Sequence, residues 1–201
     1  MAKKVVQKYG YSSNLLHHRS VVICLLGFAG FLRISELLHI QMGDVLFTSS
    51  HLEITIPKAK NDQVRQGHVV YISRTGSPYC PVSWTEKYIK KTELAKSDDN
   101  YLICRLNKTR SGHRADGRRK LSDTTVRELF AKDVLPICQE TESGAYSLHS
   151  FRSGGASTAI NNGIGERLVG KHGRWKSGYS RDRYLKDSKN KRLSVSLSLG
   201  L

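Results

Sequence analysis

The sequence has few cysteines, no apolar run long enough for a membrane, and few acidic residues, and each shortage excludes a class of protein. Its four cysteines form no CxxC pair and no zinc-like spacing with histidine, so we expect neither a disulfide framework nor a metal centre, and a reducing compartment. The apolar run at residues 21–32 is 12 residues long, too short to span a bilayer, and it lacks a signal-peptide cleavage site. We therefore predict no membrane segment.

The shortage of acidic residues leaves a strongly basic chain. Against 33 Lys and Arg there are 17 Asp and Glu, a formal net charge of +16 at pH 7 in 201 residues. Such an imbalance favours a polyanionic partner, with nucleic acid ahead of an anionic membrane. A merely soluble basic protein is the plain alternative. The length suits one domain with a sizeable core, with or without a tail.

Hydrophobic periodicity predicts a mainly helical chain with a small antiparallel sheet. The predicted helices cover residues 17–39, 80–96, 122–138, 148–162, 166–171 and 180–189. Alternating apolar residues predict a hairpin of two strands at 51–57 and 69–72, and a short strand at 101–105.

Three further segments have no clear periodicity. Residues 1–13 are predicted to be a basic tail or a severed linker, and residues 193–201 a C-terminal tail that adds a strand or packs on a partner. Residues 105–120 hold seven Lys or Arg against one Asp, and we predict a loop there. That loop is either a solvated, mobile excursion or an arm that contacts DNA.

Five side chains from distant segments suggest one chemistry. Tyr184 lies nine residues after Trp175, while His149 and Arg152 are three apart on a predicted helix and so share a face. Arg33 follows the apolar run, with Glu36 one turn on to hold it. Taken singly, these are an ordinary tyrosine, a surface pair and a structural ion pair.

Together they fit the cleavage of a phosphodiester by a tyrosine. The attacked phosphate gathers charge on its non-bridging oxygens, which two guanidinium groups would neutralise with paired donors. A tyrosine, with a pKa of ~10, needs its proton accepted at neutral pH, and His149 is the candidate acceptor or a donor to the phosphate. The leaving oxygen needs a proton, which Lys60 or Lys58 would supply.

The same segments resemble the catalytic domain of the tyrosine recombinases, the phage-integrase family. GFLRISELLHIQMGDV resembles the first-arginine motif, LHSFRSGG the HxxR motif, HGRWKS with the following tyrosine the last block, and IPKAKNDQ the hairpin with the catalytic lysine. The resemblance implies a mainly helical α+β fold with a small antiparallel sheet. It also implies a catalytic domain at residues 14–192 that joins DNA 3′ ends to a tyrosine, without cofactor or metal. It assigns the catalytic roles to Arg33, Lys60, His149, Arg152, Trp175 and Tyr184, supported by Glu36.

Two features depart from the usual family pattern. Trp175 stands where histidine is commoner, so an indole N–H would replace an imidazole. We also expect this chain to lack the N-terminal domain that completes the family's DNA clamp. The GRW and SFRSGGAST wording resembles recombinases of eukaryotic mobile elements, of the DIRS and Crypton kind. The expected location is thus nuclear in a eukaryote and cytoplasmic otherwise.

The resemblance further implies a duplex DNA partner, no membrane, and a homo-oligomer, a tetramer on paired sites. The residues predicted to bind DNA are Lys58, Arg118, Arg119, Lys120, Arg174 and Lys176. Tyr179 competes as the nucleophile and His172 as the imidazole, although neither has the nine-residue spacing. Three other functions stay open: a type IB topoisomerase, a DNA-binding module without catalysis, and an RNA-binding or ribosomal-type protein.

Overall fold

A computed structural model describes residues 1–56, 68–139 and 146–199 of the chain. Helices predominate, as predicted, and two antiparallel sheets accompany them. The helices are α1 (Ala2–Tyr9), α2 (Leu15–Ala29), α3 (Ile34–Leu37), α4 (Pro81–Thr92), α5 (Asp123–Leu129), α6 (Leu135–Gln139), α7 (His149–Asn161), α8 (Glu166–Gly173), α9 (Gly178–Asp182) and α10 (Lys189–Leu197). The strands are β1 (Val45–Phe47), β2 (His51–Ile56), β3 (His68–Ser73), β4 (Cys104–Thr109) and β5 (Gly112–Lys120).

Helix α2 lies at the centre of the core because its sequence is apolar on nearly every side. All residues from His18 to Gly27 are buried, which is typical of a helix enclosed by other elements. The Asn14 side chain accepts a hydrogen bond from the Leu16 N–H at 3.0 Å and so caps the helix start. Helices α1, α4 and α7 pack around α2, and α7 brings the HxxR segment with it.

The single helix predicted for residues 17–39 is wrong, because the chain turns between Ala29 and Ile34. Phe31 adopts a φ of 46°, in the left-handed region, which ends the helical path. Periodicity cannot detect this turn, since Leu32 before α3 and Leu37 within it are both buried in the same core. The turn makes Arg33 the N-cap residue of α3.

The predicted hairpin at 51–57 and 69–72 is confirmed as β2 and β3, which pair antiparallel. The register sets Leu52 opposite Ile72 and Ile54 opposite Val70, and all four are buried. Strand β1 adds a third, unpredicted strand beside β2; at three residues it is too short for a periodic signal. The residues between β2 and β3, with Lys58 and Lys60, lie outside the described residues.

The loop predicted at 105–120 is wrong, because this segment forms the two-stranded β4–β5 hairpin. Few of its side chains are apolar. Leu106 and Ala115, which lie opposite each other, pack against the core, and most other positions are polar. Apolar alternation is therefore too weak to predict strands. The basic side chains consequently stand on a paired sheet.

Both chain ends differ from the predicted tails. Residues 2–9 form α1, which packs on α2 and α6. Its Val5 and Val6 are buried in the core. Residues 193–197 belong to α10, a helix capped by the Ser188 side chain, instead of a strand. The helix predicted at 180–189 is also wrong, because α9 ends at Asp182.

The sequence predicts that a membrane segment and disulfide bonds are absent, and the described part of the chain bears on both. None of its helices has the length and apolar content needed to cross a membrane. All four cysteines are buried, and none of them forms a disulfide.

Candidate active site

The carboxylate of Glu36 is the meeting point of three arginines. Arg33 Nη1 lies 2.6 Å from Oε1, Arg174 Nη2 lies 2.7 Å from Oε2, and Arg152 Nη1 lies 4.0 Å from Oε2. Burial acts to raise the pKa of Glu36, but the charges of Arg174 and Arg33 outweigh it and the pKa is lowered. Three guanidinium groups around one ionised carboxylate leave the cluster with an excess of two positive charges.

Arg152 is the innermost of these cations. Only 1 % of its side chain is exposed, and it donates to the backbone oxygens of Phe31 and Gly173. Burial, with the nearby charges of Arg33 and Arg174, lowers the pKa of Arg152 to about 10, so it stays charged at neutral pH. Its Nε finds no hydrogen-bond partner within the described residues. A buried donor of this kind suits an incoming anion.

Arg152 also joins the predicted tyrosine and tryptophan into one group. Its guanidinium carbon lies 4.3 Å from the centre of the Trp175 ring and 5.4 Å from that of Tyr184. The two rings are 5.3 Å apart at 51°, and such cation–ring contacts are attractive. Trp175 Nε1 is buried and, within the described residues, lacks an acceptor. The nine-residue spacing thus places Tyr184 beside both Arg152 and an unused N–H donor.

Helix α7 holds the backbone of the tyrosine segment as well as Arg152. Tyr184 lies in the turn after α9, where Ser157 Oγ donates to its backbone oxygen at 3.3 Å and accepts from the Lys186 N–H at 2.9 Å. Asn161 Nδ2 donates to the Lys186 oxygen at 3.1 Å. The sequence analysis missed Ser157 and Asn161, because polar residues on a helix carry no pattern that reveals such partners.

The close packing of α7 on the end of α2 depends on Gly155. A Cβ atom there would lie 2.2 Å from the Phe28 backbone oxygen and 2.8 Å from the Phe31 ring. Only glycine allows this approach. The approach brings Arg152 to the Phe31 oxygen and so into the Glu36 cluster.

The remaining predicted catalytic residues have more open positions. Arg33 is 40 % exposed, so a ligand can reach it. His149 is exposed in the first turn of α7, one turn before Arg152. Tyr179 is 78 % exposed on α9, whereas Tyr184 is half-buried in the ring cluster. The geometry therefore favours Tyr184 over Tyr179 as the residue placed at the arginines.

His172, the alternative imidazole, is held by a backbone hydrogen bond and an aromatic contact. Its Nε2 donates to the Ala29 backbone oxygen at 2.8 Å, and its ring meets Phe31 edge-on at 4.6 Å. Burial lowers the pKa of His172 despite the hydrogen bond to Ala29. A neutral ring held in this way fixes the turn at Phe31.

Among the predicted DNA-binding residues, Arg174 differs from the others, because its side chain is only 5 % exposed and pairs with Glu36. The others that the structure describes are exposed. Lys176 follows Trp175, while Arg118 and Arg119 on β5 pair with Asp99 and Asp116. Lys120 Nζ lies 2.6 Å from His39 Nε2, just past α3, so the end of the basic strand lies near the arginine cluster.

No group of three or more His, Cys, Asp or Glu side chains within the described ranges is arranged to hold a metal ion. The chemistry available from the described cluster is that of arginines, an indole N–H and a tyrosine hydroxyl.

Comparison with known proteins gives a family whose model matches most of the chain. The model of the phage integrase family matches residues 2–191. An integrase/recombinase XerD homolog of Selenomonas ruminantium is 28 % identical over 168 residues, which are 83 % of this chain and 47 % of that protein. The chain thus spans about half the length of this relative.

Solved structures of low sequence identity share the fold. XerH site-specific recombinase, bound to a palindromic difH substrate in a post-cleavage complex, has a TM-score of 0.70 at 17 % identity; 98 % of this chain and 51 % of XerH are covered. XerA recombinase has a TM-score of 0.68 at 16 % identity, over 98 % of this chain and 60 % of XerA. A lambda integrase dimer (75–356) bound to a COC′ core site has a TM-score of 0.57 at 16 % identity, over 94 % and 59 %.

Replacing Glu36 by glutamine should destabilise the fold in a pH-dependent way. Glu36→Gln leaves three clustered guanidinium groups without their carboxylate, so we expect a loss of about 3 kcal/mol in the free energy of unfolding at pH 7. The folded pKa lies below the usual 4.5, so this stabilisation is complete above pH 4.5 and disappears as pH falls through the folded pKa.

Urea unfolding of both proteins between pH 7 and pH 3.5 measures the difference. Glu128→Gln, which removes an exposed carboxylate on α5, is the control and should change little. A constant difference at every pH would contradict the assigned charge of Glu36.

Proposed function

The chain belongs to the phage integrase family, and we propose that it cleaves and rejoins DNA strands through a covalent bond between Tyr184 and a DNA phosphate. The observation that carries this proposal is the Arg152 guanidinium, buried beside the Glu36 cluster and lying over the Tyr184 ring. A tyrosine beside an excess of buried positive charge suits attack on a phosphodiester, where negative charge develops. Site-specific recombination or integration of DNA is the corresponding biological role.

In the proposed reaction, Tyr184 Oη attacks the scissile phosphorus and forms an O–P bond as the bond to the 5′ oxygen breaks. The DNA 3′ end is then held as a phosphotyrosine, and the 5′ end leaves as a hydroxyl. Attack by a 5′-hydroxyl of another strand reverses the step, and the energy of the phosphodiester is retained in the intermediate. His149 would take the tyrosine proton.

Two of the buried donors that have no partner within the described residues fit the phosphate. Arg152 Nε and Trp175 Nε1 would donate to non-bridging oxygens, with Arg33 entering from the exposed side. A phosphate would satisfy donors that otherwise stay buried at a cost of about 1–3 kcal/mol each. The leaving 5′ oxygen would be protonated by Lys60, with Lys58 as the alternative; the motif resemblance and the pairing of the flanking strands support this role.

Tyr184→Phe should abolish a covalent protein–DNA adduct. We expect the wild-type protein, mixed with a nicked duplex that traps the cleaved strand, to give a shifted band on a denaturing gel. Tyr179→Phe is the matched control and should keep the band, because Tyr179 lies on the exposed side of α9. An adduct that survives Tyr184→Phe but not Tyr179→Phe would reverse the assignment, and a wild-type protein without adduct would support a DNA-binding module.

A basic surface for duplex DNA is proposed along β5 and next to α3. Arg118, Arg119 and Lys120 are exposed there, and Lys120 reaches His39 beside the arginine cluster. Their ion pairs with Asp99 and Asp116 lie at the surface, where such pairs contribute little. DNA phosphates would therefore displace these partners readily.

Changing these three residues to alanine should weaken the salt dependence of DNA binding. Each phosphate contact adds about −0.9 to the slope of log affinity against log salt, so the triple variant should lose about two to three units. Fluorescence anisotropy across salt concentrations measures the slope. Alanine at Lys8, Lys90 and Lys132, exposed on other elements, removes the same charge; an equal change in both triples would argue against a local contact.

We also propose that copies of the chain associate on DNA through α10 and an apolar groove. No residue of α10 is buried, and Leu193, Val195 and Leu197 are exposed. A cavity of about 870 Å³ lies between α2, β3 and α8. Exposed Tyr71 and Leu168 line its mouth. Apolar side chains on one element and an apolar groove on another are complementary, so a second copy is the proposed occupant.

Aspartate at Leu193 and Leu197 should prevent this association. We expect the double variant to bind a one-site duplex within about twofold of wild type, while it loses the two-copy complex on a two-site duplex, because charged side chains do not enter an apolar groove. Native mass spectrometry separates the complexes. Aspartate at Ser194 and Ser198 gives a control with the same charge; unchanged assembly of the leucine variant would exclude α10 as the contact.

A further inference from the structure

We infer that Arg174 is a positioning residue, which neutralises Glu36 from the protein interior and thereby leaves Arg152 free to hold the phosphate. The inference rests on the proposed function of the cluster. Arg174 touches neither ring of the Tyr184 group among its described contacts, and its Nη2 is paired with Glu36. Its action would therefore pass through Glu36 and the backbone oxygens to which it donates.

The Arg174 guanidinium contacts Glu36 and three backbone oxygens on the interior side of the site. Nη2 donates to Glu36 Oε2 at 2.7 Å and to the Phe31 oxygen at 3.2 Å. Nη1 donates to the Gly30 oxygen at 3.3 Å and to the His172 oxygen at 3.0 Å. One planar side chain thus ties the end of α8 to the turn that presents Arg33, a use for which guanidinium is suited and ammonium is not.

The backbone conformation of Arg174 is unusual for a residue that carries a side chain. Its φ is 59°, the left-handed conformation that commonly follows a helix and that glycine adopts without strain. The residue directly before it, Gly173, is the one whose Cβ would collide with the Trp175 ring. An arginine at such a strained position is a feature from which a functional role can be inferred.

The division of the Glu36 oxygens explains what Arg174 would do. Oε1 pairs with Arg33 Nη1 at 2.6 Å, and Oε2 accepts from Arg174 and from the Arg33 N–H at 2.8 Å. Arg152 Nη1 stands 4.0 Å away, beyond hydrogen-bond distance. Without Arg174, Oε2 would lose its guanidinium, and Arg152 is the cation positioned to replace it. Arg152 would then turn toward Glu36 at the expense of the phosphate.

The test combines Arg174→Met with Glu36→Gln in a double-mutant cycle. Single-turnover cleavage of a duplex with a bridging 5′ sulfur, at saturating DNA, reports the phosphate clamp without needing a proton for the leaving group. We expect Arg174→Met to slow cleavage on the order of 100-fold, as for loss of a transition-state donor, with the Kd for DNA within about twofold. Arg174→Lys, which keeps the positive charge beside Glu36 but loses the planar guanidinium contacts, should fall between Arg174→Met and wild type, within about 10-fold of wild type.

The double variant separates positioning from a merely structural role. Once Glu36 has no charge, Arg152 is no longer drawn away, so Glu36→Gln/Arg174→Met should cleave about 10-fold faster than Arg174→Met alone. A merely structural role would instead make the cleavage rates follow the free energies of unfolding of the variants, because contacting residues are non-additive in stability as well. If Arg174→Met fails to fold, Arg174→Gln, which keeps a donor but no charge, takes its place in the cycle.

An NMR measurement without DNA keeps this inference distinct from the proposed function. The Nε–H signal of Arg152 should move in Arg174→Met and return toward its wild-type position in the double variant. A wild-type protein that forms no adduct would refute the proposed function, while the NMR shifts would still decide the positioning role. The inference would be overturned if folded Arg174→Met cleaves at the wild-type rate, or if the losses of the two single variants add in the double variant. It would also be overturned if the Arg152 signal does not move, or if DNA affinity falls in parallel with cleavage.

Discussion

The buried contact between Glu36 and its arginines is the constraint on which the rest of the site depends. Guanidinium groups repel one another, and burying them is costly unless a carboxylate and backbone oxygens compensate. Glu36 and the oxygens of Phe31, Gly30 and Gly173 supply that compensation. The cluster keeps an excess of positive charge, which makes it a receptor for an anion as much as a structural centre.

Three parts of the chain must meet for this cluster to form. The turn after α2 presents Arg33 and the Phe31 oxygen, α7 brings Arg152, and the end of α8 brings Arg174. The left-handed backbone of Phe31 and the absence of a side chain at Gly155 allow the first two to approach. Each left-handed non-glycine residue costs on the order of 1–2 kcal/mol, and the shared hydrogen bonds offset that cost.

The site opens onto surfaces that differ in character. Basic residues of β5 reach the neighbourhood of α3 through the contact between Lys120 and His39, while an apolar groove lies between α2, β3 and α8. A polyanion and an apolar partner would therefore meet the chain at separate places. This separation is consistent with a protein that grips DNA on one surface and a second copy on another.

The sequence by itself determined the helical class, the β2–β3 hairpin, the family, and the set Arg33, Glu36, Arg152, Trp175 and Tyr184, because periodicity and motif spacing are local properties of the chain. It did not determine the turn at Phe31, the β4–β5 hairpin, or the helical state of both ends. In those segments the apolar residues fit the predicted structure as well as the observed one. Only the tertiary structure decided that Arg174 lies inside, since burial depends on which distant backbone oxygens surround a side chain. The same reason applies to Ser157 and Asn161, whose hydrogen bonds to the Tyr184 segment join positions that no local pattern connects.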